Sequence, residues 1–364
     1  MAKARKGRKY VSGLLVFFLI ILLLLLSTIT GALLSYSYVR GAQASIKNPK
    51  QISIPVGQRI YLDIPSGSST SKIADLLHDN ELIKYPQIFK IMSKVNGYDG
   101  RFQSGTHIVS KELGYEELMM VLIQNPEILR LTFREGLNSK QVYQEIQSSG
   151  LVNGKDVEGF VDSEKFEYAF LEDLPKRKNP LEGYLFPDTY EYHLNATPKV
   201  IVEMMLNNFE KKVPEEYYDR AKEIGMTMDE VITLASIIER EAMAEEDRFL
   251  VSGVFHNRLK SSDSSMRKLQ SCATIQHVFY LRNGIMLSKI SDSDTKVVDP
   301  YNTYLHEGLP PGPICNPGLS SIKAALYPEE TEYMFFVAKG DGTHQFSKTY
   351  DEHLEAVAKY GLSV

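Results

Sequence analysis

The sequence predicts an α+β fold behind a single N-terminal transmembrane helix. Three observations support this prediction: a charge-free apolar run spans residues 11–34, short alternating strands lie among amphipathic helices, and the composition is 43% hydrophobic and 24% charged. Strands and helices that mix without a regular alternation are typical of the α+β class. A chain of 364 residues is long enough for a membrane segment and two folded units.

The N-terminus predicts an uncleaved membrane anchor. Residues 1–10 carry five basic and no acidic side chains, and the apolar run that follows is about 24 residues long. A cleaved signal has an apolar stretch of about 7 to 15 residues, whereas a membrane span needs about 20. Basic residues before a span stay in the cytoplasm. We therefore expect a cytoplasmic tail at 1–10, a single-pass anchor in the cell membrane at 11–34, and an extracytoplasmic remainder.

Charge and composition exclude several classes of partner. Five of the 41 Lys and Arg lie in the tail, which leaves 36 against 46 Asp and Glu and a net charge of −10 on the exported part. Such a surface argues against binding to nucleic acid or to an anionic membrane surface. The eight His residues show no metal-ligand spacing, so we predict no metal and no cofactor. Cys272 and Cys315 are too few for a disulfide framework, and a single bridge between them stays open.

A tether and a repeated unit follow the anchor. Residues 35–58 are predicted to be a tether, because Gly, Ala, Ser, Pro and Gln mix there without helical periodicity. From Arg59 a short strand, a Gly/Ser turn and a helix follow. A shift of 69 residues lays 64–83 over 133–152 with glycines and apolar positions in register. The strand–turn–helix unit thus occurs twice, as a recurrent small module or by convergence, and two copies are too few for a solenoid.

The remaining elements follow from periodicity and turn residues. Apolar spacing predicts helices at about 197–211, 228–243 and 245–260. A loop-rich stretch that contains 269–280 and 300–318 comes next. The chain closes with a strand, a Gly turn, a strand and a helix between residues 334 and 357.

Two glutamates flank the apolar stripe of the helix predicted at 228–243. Glu239 and Glu241 are two apart and do not face each other on a helix, so they cannot form the acid–base pair of an ordinary glycosidase. A carboxyl held against apolar side chains has a raised pKa, as a general acid near neutral pH requires. The alternative is a flank glutamate that reaches water or pairs with Arg240 or Arg248. Periodicity does not choose between the two glutamates.

Other segments are weaker candidates for a site. "LEGYLFPDTYEY" at 181–192 places aromatic side chains among Glu182, Asp188 and Glu191, which suits a sugar-binding pocket and equally suits a core. The Pro- and Gly-rich loop at 308–313 is suited to hold the wall of a cleft. Ser320 and Lys323 match the S-x-x-K pattern of penicillin-interacting serine enzymes, but neither S-D-N nor K-T-G follows.

From about Arg59 to the end, the sequence resembles the MltG/YceG-like endolytic murein transglycosylases. Seven motifs in order carry the resemblance. They are "EGYLFPDTY" (182–190), "LASIIERE" (234–241), "VFHNRL" (254–259), "LQS" (269–271), "YNTY" (301–304), "GLPPGPI" (308–314) and "NPG" (316–318). The resemblance implies a LysM-like module at 59–130 and a transglycosylase catalytic domain at 131–364. Where the family often has Asp-Pro-Thr after "LQS", this chain has Cys272, Ala273 and Thr274, which removes any role for an acid at 272.

The resemblance also implies a catalytic residue and a reaction. The family's catalytic glutamate follows the apolar run of "ASIIE", which identifies it as Glu239. The resemblance implies that the enzyme cleaves the MurNAc–GlcNAc β-1,4 bond inside nascent glycan strands, gives 1,6-anhydroMurNAc ends and terminates elongation of those strands. The implied partners are peptidoglycan strands, the cytoplasmic membrane and peptidoglycan synthases. Candidate substrate-binding residues, chosen from these motifs, are Glu182, Tyr184, Asn257, Gln270, Tyr301, Asn302 and Asn316.

Two alternatives remain open on sequence grounds. A muramidase-type hydrolase would need a second carboxylate or an activated water, and Glu182 and Asp188 are the available acids. A membrane-anchored, wall-binding scaffold would keep the fold without turnover. The products of the reaction separate the two enzymes, and any Glu239-dependent turnover excludes the scaffold.

Overall fold

A computed structural model describes residues 13–47, 52–172 and 174–360 of the chain. The first helix, α1, is Gly13–Lys47. Its segment Leu15–Ser35 has 21 residues, a mean hydropathy of 2.7 and no buried share, so it is long and apolar enough to cross a membrane. The predicted basic tail at 1–10 and the first two residues of the predicted anchor lie outside the described residues.

The helix continues through much of the segment that was predicted to be an irregular tether. Residues 35–47 are helical, whereas 48–51 lie outside the described residues. No proline occurs before Pro49, so no residue within 35–47 lacks the amide that a helix needs. The chain then makes a short 3₁₀ turn at Val56–Gln58.

The chain divides into two compact units, the first running to Ile128 and including His193–Asn195. After α1, this unit contains, in order, β1 (Ile60–Ile64), α2 (Thr70–Asp79), α3 (Pro86–Val95), β2 (Gly105–Val109) and α4 (Tyr115–Leu122). Strands β1 and β2 pair antiparallel, with Leu62 opposite His107. The unit has its own core, in which Phe89, Tyr98 and Leu118 are fully buried.

The second unit comprises Leu129–Tyr192 and the chain from Ala196 onward. Its elements are β3 (Ile128–Thr132), α5 (Ser139–Ser148), α6 (Gly154–Ser163), β4 (Thr189–His193), α7 (Pro198–Lys212), α8 (Glu215–Glu223), α9 (Met228–Glu241), α10 (Glu245–Leu259), α11 (Cys272–Asn283), α12 (Leu319–Leu326), β5 (Phe335–Ala338), β6 (His344–Ser347) and α13 (Tyr350–Tyr360). Strand β3 pairs with β4, and β5 pairs with β6. The mixture of helices and two-stranded sheets confirms the α+β prediction. The helices predicted around 197–211, 228–243 and 245–260 are present as α7, α9 and α10.

The strand–turn–helix repeat predicted from the sequence is present in the structure. Helices α2 and α5 begin and end 69 positions apart. Their N-cap residues, Ser69 and Asn138, each accept a hydrogen bond from the amide three residues later, as N-caps do. Gly67 and Gly136 both adopt positive φ angles in the preceding turn. The two segments therefore share local geometry down to the capping residues.

Helix α9 is the most deeply buried helix of the site region. All eight side chains from Val231 to Ile238 are buried, so the helix is apolar all round, as a core helix should be. Thr227 caps its N-terminus in a reciprocal capping box with Glu230. The last turn brings Glu239 and Glu241 out of this core.

The loop-rich stretch predicted after residue 260 contains a helix. Residues 272–283 form α11, which ends at Gly284 in the left-handed conformation with φ +70°. The carboxylate of Glu241 accepts a hydrogen bond from the Ala273 amide at 3.2 Å. A distant residue thus supplies the N-terminal cap, and the local sequence carries no signal of it.

Candidate active site

Glu239 lies in the last turn of α9 with its carboxylate almost enclosed. Its side chain is 6% exposed. One oxygen, Oε2, accepts hydrogen bonds from the Gly318 amide at 3.0 Å and the Ser321 hydroxyl at 2.8 Å. The other, Oε1, lies 3.4 Å from Nη2 of Arg248. These three donors stabilise an ionised carboxylate, so the pocket is built to receive negative charge on Glu239.

The segment from Ile314 to Gly318 runs along α9 and brings the Gly318 amide to Glu239. The Ile314 amide donates to the Ser236 hydroxyl at 3.0 Å, and the Cys315 thiol donates to the Ser236 carbonyl at 3.3 Å. Gly318 then forms the N-cap of α12. Its amide therefore reaches Glu239 from the positive end of a helix dipole.

A second carboxylate that sequence reasoning missed lies beside the first. A Cβ atom built on Gly318 would come within 2.7 Å of the Glu135 Oε2 atom, and its Oε1 and Cδ atoms would be closer still. Burial and the nearby Glu239 charge both raise the pKa of Glu135, while Arg248 lowers it. One signal was available in the sequence: at the 69-residue offset, Glu135 corresponds to Ser66, so the second copy of the repeat has gained an acid.

Glu241 faces a different part of the structure. Its Oε1 atom accepts hydrogen bonds from the Ser271 hydroxyl and from the Ala273 amide. Both donors lie at the start of α11, so Glu241 fixes the "LQS" segment to α9. The contacts therefore distinguish Glu239 from Glu241, whereas the helical periodicity of the sequence gave no reason to prefer either as the acid.

Four predicted substrate-binding residues are buried and already bonded to the protein. Asn316 accepts from the Gly183 and Leu185 amides and donates to the Leu137 carbonyl. Asn302 donates to the Thr295 and Val297 carbonyls. Glu182 accepts from the Ser139 amide at 3.0 Å, and the Tyr184 hydroxyl donates to Asp229 at 2.8 Å. These contacts favour a structural role for all four, because their polar atoms are satisfied away from solvent.

Three other predicted residues are less enclosed. Asn257 is half-buried and donates to the Thr331 and Tyr333 carbonyls. Gln270 is exposed, with φ +53°, and its side-chain oxygen accepts from Arg258 at 2.6 Å. Tyr301 is half-buried against His277, and burial raises its pKa to about 12. Gln270 and Tyr301 therefore keep atoms that a ligand could reach, whereas the Asn257 amide nitrogen is committed to two backbone carbonyls.

Hollows occur at both ends of α9. A small cavity of about 10 Å³ near the C-terminal end is lined by Gly136, Asn138, Arg240, Ala273 and other residues. A larger one of about 490 Å³ is walled by the Pro- and Gly-rich loop from Gly308 to Pro311, as predicted for a cleft wall, and reaches Asp229 and Thr233 on the N-terminal half of the helix. Neither Glu239 nor Glu241 lines either cavity, so the candidate site is assigned from the contacts of Glu239.

Contacts bear on two further features of the sequence, the cysteine pair and the S-x-x-K match. Cys272 and Cys315 are both free thiols, so the open disulfide alternative is not realised. Ser320, of the S-x-x-K match, donates to Glu245 at 3.4 Å, and it is the neighbouring Ser321 that reaches Glu239. Within residues 13–47, 52–172 and 174–360, no group of three or more His, Cys, Asp or Glu side chains could hold a metal ion.

The arrangement suits proton transfer by one enclosed carboxylate. Arg248 is only partly used by Glu239, because its Nε–H is buried and has no acceptor among the described residues. A bound ligand could supply that acceptor. The site thus combines one proton carrier, donors that stabilise its charged form and a cation with spare hydrogen-bonding capacity.

Comparison with known proteins is consistent across sequence and structure. The model of the YceG-like family matches residues 62–359. A Bacillus subtilis protein named endolytic murein transglycosylase is 33% identical over 314 residues, which are 83% of this chain and 84% of the relative. A Streptococcus pneumoniae protein of the same name is 29% identical over 96% of this chain and 66% of its own length. The crystal structure of a yceG-like protein from Listeria monocytogenes has a TM-score of 0.56 and 31% identity, over 82% of this chain and 99% of that one.

Proposed function

The chain belongs to the YceG-like family, and on that premise we propose that it is a membrane-anchored endolytic murein transglycosylase. It cleaves the MurNAc–GlcNAc β-1,4 bond within peptidoglycan glycan strands and leaves 1,6-anhydroMurNAc ends. The relatives from Bacillus subtilis and Streptococcus pneumoniae carry the name of this activity. The observation in this chain that carries the proposal is Glu239, one nearly enclosed carboxylate with three donors aimed at it.

Glu239 acts first as an acid and then as a base. The protonated carboxyl gives its proton to the bridging oxygen as the C1–O bond breaks and an oxocarbenium-like state develops. The carboxylate that remains is stabilised by the Gly318 amide, the Ser321 hydroxyl and Arg248. It then takes the proton of the MurNAc C6 hydroxyl, whose oxygen bonds to C1. No water is consumed, and Glu239 ends the cycle protonated.

The hydrolase alternative is weakened at the acids first considered for it. Glu182 is fully enclosed beside Ser139, and burial raises its pKa to about 7. Asp188 is bonded to Asn208, which is the main cause of its lowered pKa, and lies 3.4 Å from Lys212. The Glu135 carboxylate lies beside Glu239, but the two meet across the single residue Gly318. A hydrolase needs its carboxylates on opposite sides of the scissile bond, so we favour the transglycosylase.

The setting of the reaction is part of the proposal. We place the N-terminus in the cytoplasm and both units outside, with α1 as the anchor. The first unit is proposed to be a LysM-like module that contacts glycan strands, and peptidoglycan synthases are the proposed neighbours. An enzyme held at the membrane cuts strands as they emerge, which would terminate their elongation.

Mass spectrometry of the products tests the proposed reaction. The full-length protein in detergent is incubated with uncrosslinked glycan strands, with Glu239→Gln in parallel. We expect internal fragments that end in 1,6-anhydroMurNAc and their absence from the variant. Reducing MurNAc ends, which carry one additional water, would identify a muramidase. Turnover that persists in Glu239→Gln would refute the assignment of the acid.

A further inference from the structure

We propose that Glu135 is a positioning residue of this active site, whose carboxylate lies beside Glu239 across Gly318 and keeps one proton on the pair in the resting enzyme. The inference rests on the proposed function and adds to it a second carboxyl group next to the proposed acid. The Glu135 carboxylate fills the space beside the Gly318 Cα atom, and the Gly318 amide donates to Glu239. A proton held by either member of such a pair is therefore close to the site of the first step.

The placement of Glu135 depends on two glycines. Gly318 donates its amide to Glu239, and its open Cα face is occupied by the Glu135 carboxylate. Gly136 directly follows Glu135, and a Cβ atom there would lie 3.8 Å from Cγ of Glu239 and 3.5 Å from Cδ of Arg240. The backbone around Glu135 therefore packs directly on the catalytic side chain, and a residue other than glycine at position 318 would push the two carboxylates apart.

The loop that holds the pair is anchored from both sides. The Gly136 amide donates to the Asn316 carbonyl at 3.0 Å, and the Asn316 amide donates to the Leu137 carbonyl at 2.9 Å. These reciprocal bonds join the turn that carries Glu135 to the segment that ends in Gly318. The relative positions of Glu135 and Glu239 are therefore set by backbone hydrogen bonds.

The charges around the pair come from several elements. Arg248 on α10 faces Glu239 and lowers the pKa of Glu135, whereas Glu245 at the start of the same helix raises it. Arg240 packs against Gly136 from the end of α9. The Cys315 thiol is neutral near pH 7, because burial and the Glu239 charge raise its pKa well above the usual value. Burial contributes most to the raised pKa of Glu135, and the Glu239 charge is the second cause.

Two neighbouring carboxylates titrate as a pair. Like charges close together disfavour double ionisation, so the pair retains a proton to higher pH than either member would alone. When that proton resides on Glu239, the enzyme has its general acid. When Glu239 becomes a carboxylate during the reaction, Arg248 and the two hydrogen bonds offset the second charge.

The pH profile of strand cleavage tests this role. In Glu135→Gln the second carboxyl group is gone, so the two side chains can no longer share a proton. We expect the alkaline limb of the kcat/KM profile to move toward acid by about one pH unit, with an approximately tenfold loss of activity above the limb. Below the limb, the variant and the wild type should agree within about twofold. A purely structural role would lower activity equally at every pH.

The matched control is Glu246→Gln. It removes the same charge from the first turn of α10, where Glu246 is exposed, and it should leave the profile in place. Glu135→Asp keeps the charge, so the alkaline limb of its profile should lie closer to the wild-type position than that of Glu135→Gln. This result would show that the shift in Glu135→Gln comes from the lost carboxyl group and not from a folding defect. An unchanged profile in Glu135→Gln, or activity lost at all pH values with an intact fold, would overturn the proposal.

A second measurement separates this inference from the proposed function. Carboxyl ¹³C NMR of full-length protein labelled at glutamate follows the titration of Glu135, identified by its absence in Glu135→Gln. Because the coupling is reciprocal, Glu239→Gln should lower the titration midpoint of Glu135. This test needs no substrate, so it stands even if the wild type produces no 1,6-anhydroMurNAc. A midpoint that does not move in Glu239→Gln would refute the pairing by itself.

Discussion

Replacing Gly318 with alanine should disable the site without unfolding the protein. The φ of −75° at Gly318 is an ordinary angle for alanine, so the backbone carries no strain. The added methyl group would overlap the Glu135 carboxylate, which must withdraw by roughly 1 to 1.5 Å to restore van der Waals separation. The carboxylate is the end of a flexible side chain, so we expect it to swing away. The amide of residue 318 should still donate to Glu239.

The expected magnitudes are small for stability and larger for function. Alanine is a poorer N-cap than glycine by up to about 1 kcal/mol, while it restricts the unfolded chain and regains about 0.4 to 1 kcal/mol. Thermal unfolding should therefore change little. Activity at neutral pH should fall about tenfold, and the alkaline limb of the profile should shift toward acid as in Glu135→Gln. The assay is kcat/KM for strand cleavage as a function of pH, with melting curves recorded alongside.

A matched control and a double mutant make this prediction refutable. Gly114 is also a helix N-cap glycine, with φ −71°, and its nearest neighbour would lie 3.6 Å from a new Cβ atom. Gly114→Ala should therefore share the capping effect and leave the pH profile unchanged. Gly318→Ala combined with Glu135→Gln should be no worse than Glu135→Gln alone, because both changes remove one interaction. Two results would show that the methyl group does not act by displacing Glu135. One is a double mutant whose loss of activity is the sum of the two single losses, and the other is a wild-type pH profile in Gly318→Ala.

Three further predictions concern other acids. Glu239→Gln should lower kcat by at least about 10²- to 10⁴-fold with unchanged circular dichroism, and a near-normal rate would exclude it as the acid. Glu241→Ala should remove the cap of α11 and lower the unfolding free energy by about 1 kcal/mol. Its loss of activity should be smaller than that of Glu239→Gln, and an unchanged melting temperature would contradict the capping role. Burial raises the pKa of Glu182 from 4.5 to about 7, so the folded state binds the extra proton and stability falls as pH rises between these values, by about 3 kcal/mol. In Glu182→Gln the unfolding free energy should depend less on pH between 4.5 and 8, as measured by melting curves. A pH dependence as steep as that of the wild type would argue against the raised pKa of Glu182.

The sequence predicted the elements whose signals are local. The 3.6-residue spacing of apolar side chains in α9 lies within one segment, so the predicted helix agrees with the observed one. The 69-residue offset between α2 and α5 could be read directly, because Gly67 and Gly136 mark equivalent turns. Helix α11 was missed since its cap, Glu241, lies on another helix. The length of α1 was also underestimated, because residues 35–47 lack the apolar periodicity used to recognise helices.

The site was harder to predict, because side-chain direction is not encoded in composition. Asn302 and Asn316 lie in the motifs "YNTY" and "NPG", which carry the family resemblance, yet both side chains are buried and bonded to backbone groups. Glu135 precedes Glu239 by about 100 positions, and only the loop ending at Gly318 brings them together. Sequence alone could identify the types of residue needed for the chemistry. It could not determine which of them share one enclosed space.

The extension of α1 beyond its apolar segment has a mechanical consequence. The 12 residues from 36 to 47 rise about 18 Å when helical. In the proposed orientation this segment is a stalk that extends the helix by about 18 Å beyond its apolar segment. A flexible linker of the same length would let the enzyme sample the membrane surface, whereas a stalk favours cutting within a layer at a defined distance from it. The position of cleavage along a growing strand would then be measured from the bilayer, and a proline placed midway in the stalk should broaden the lengths of the released fragments.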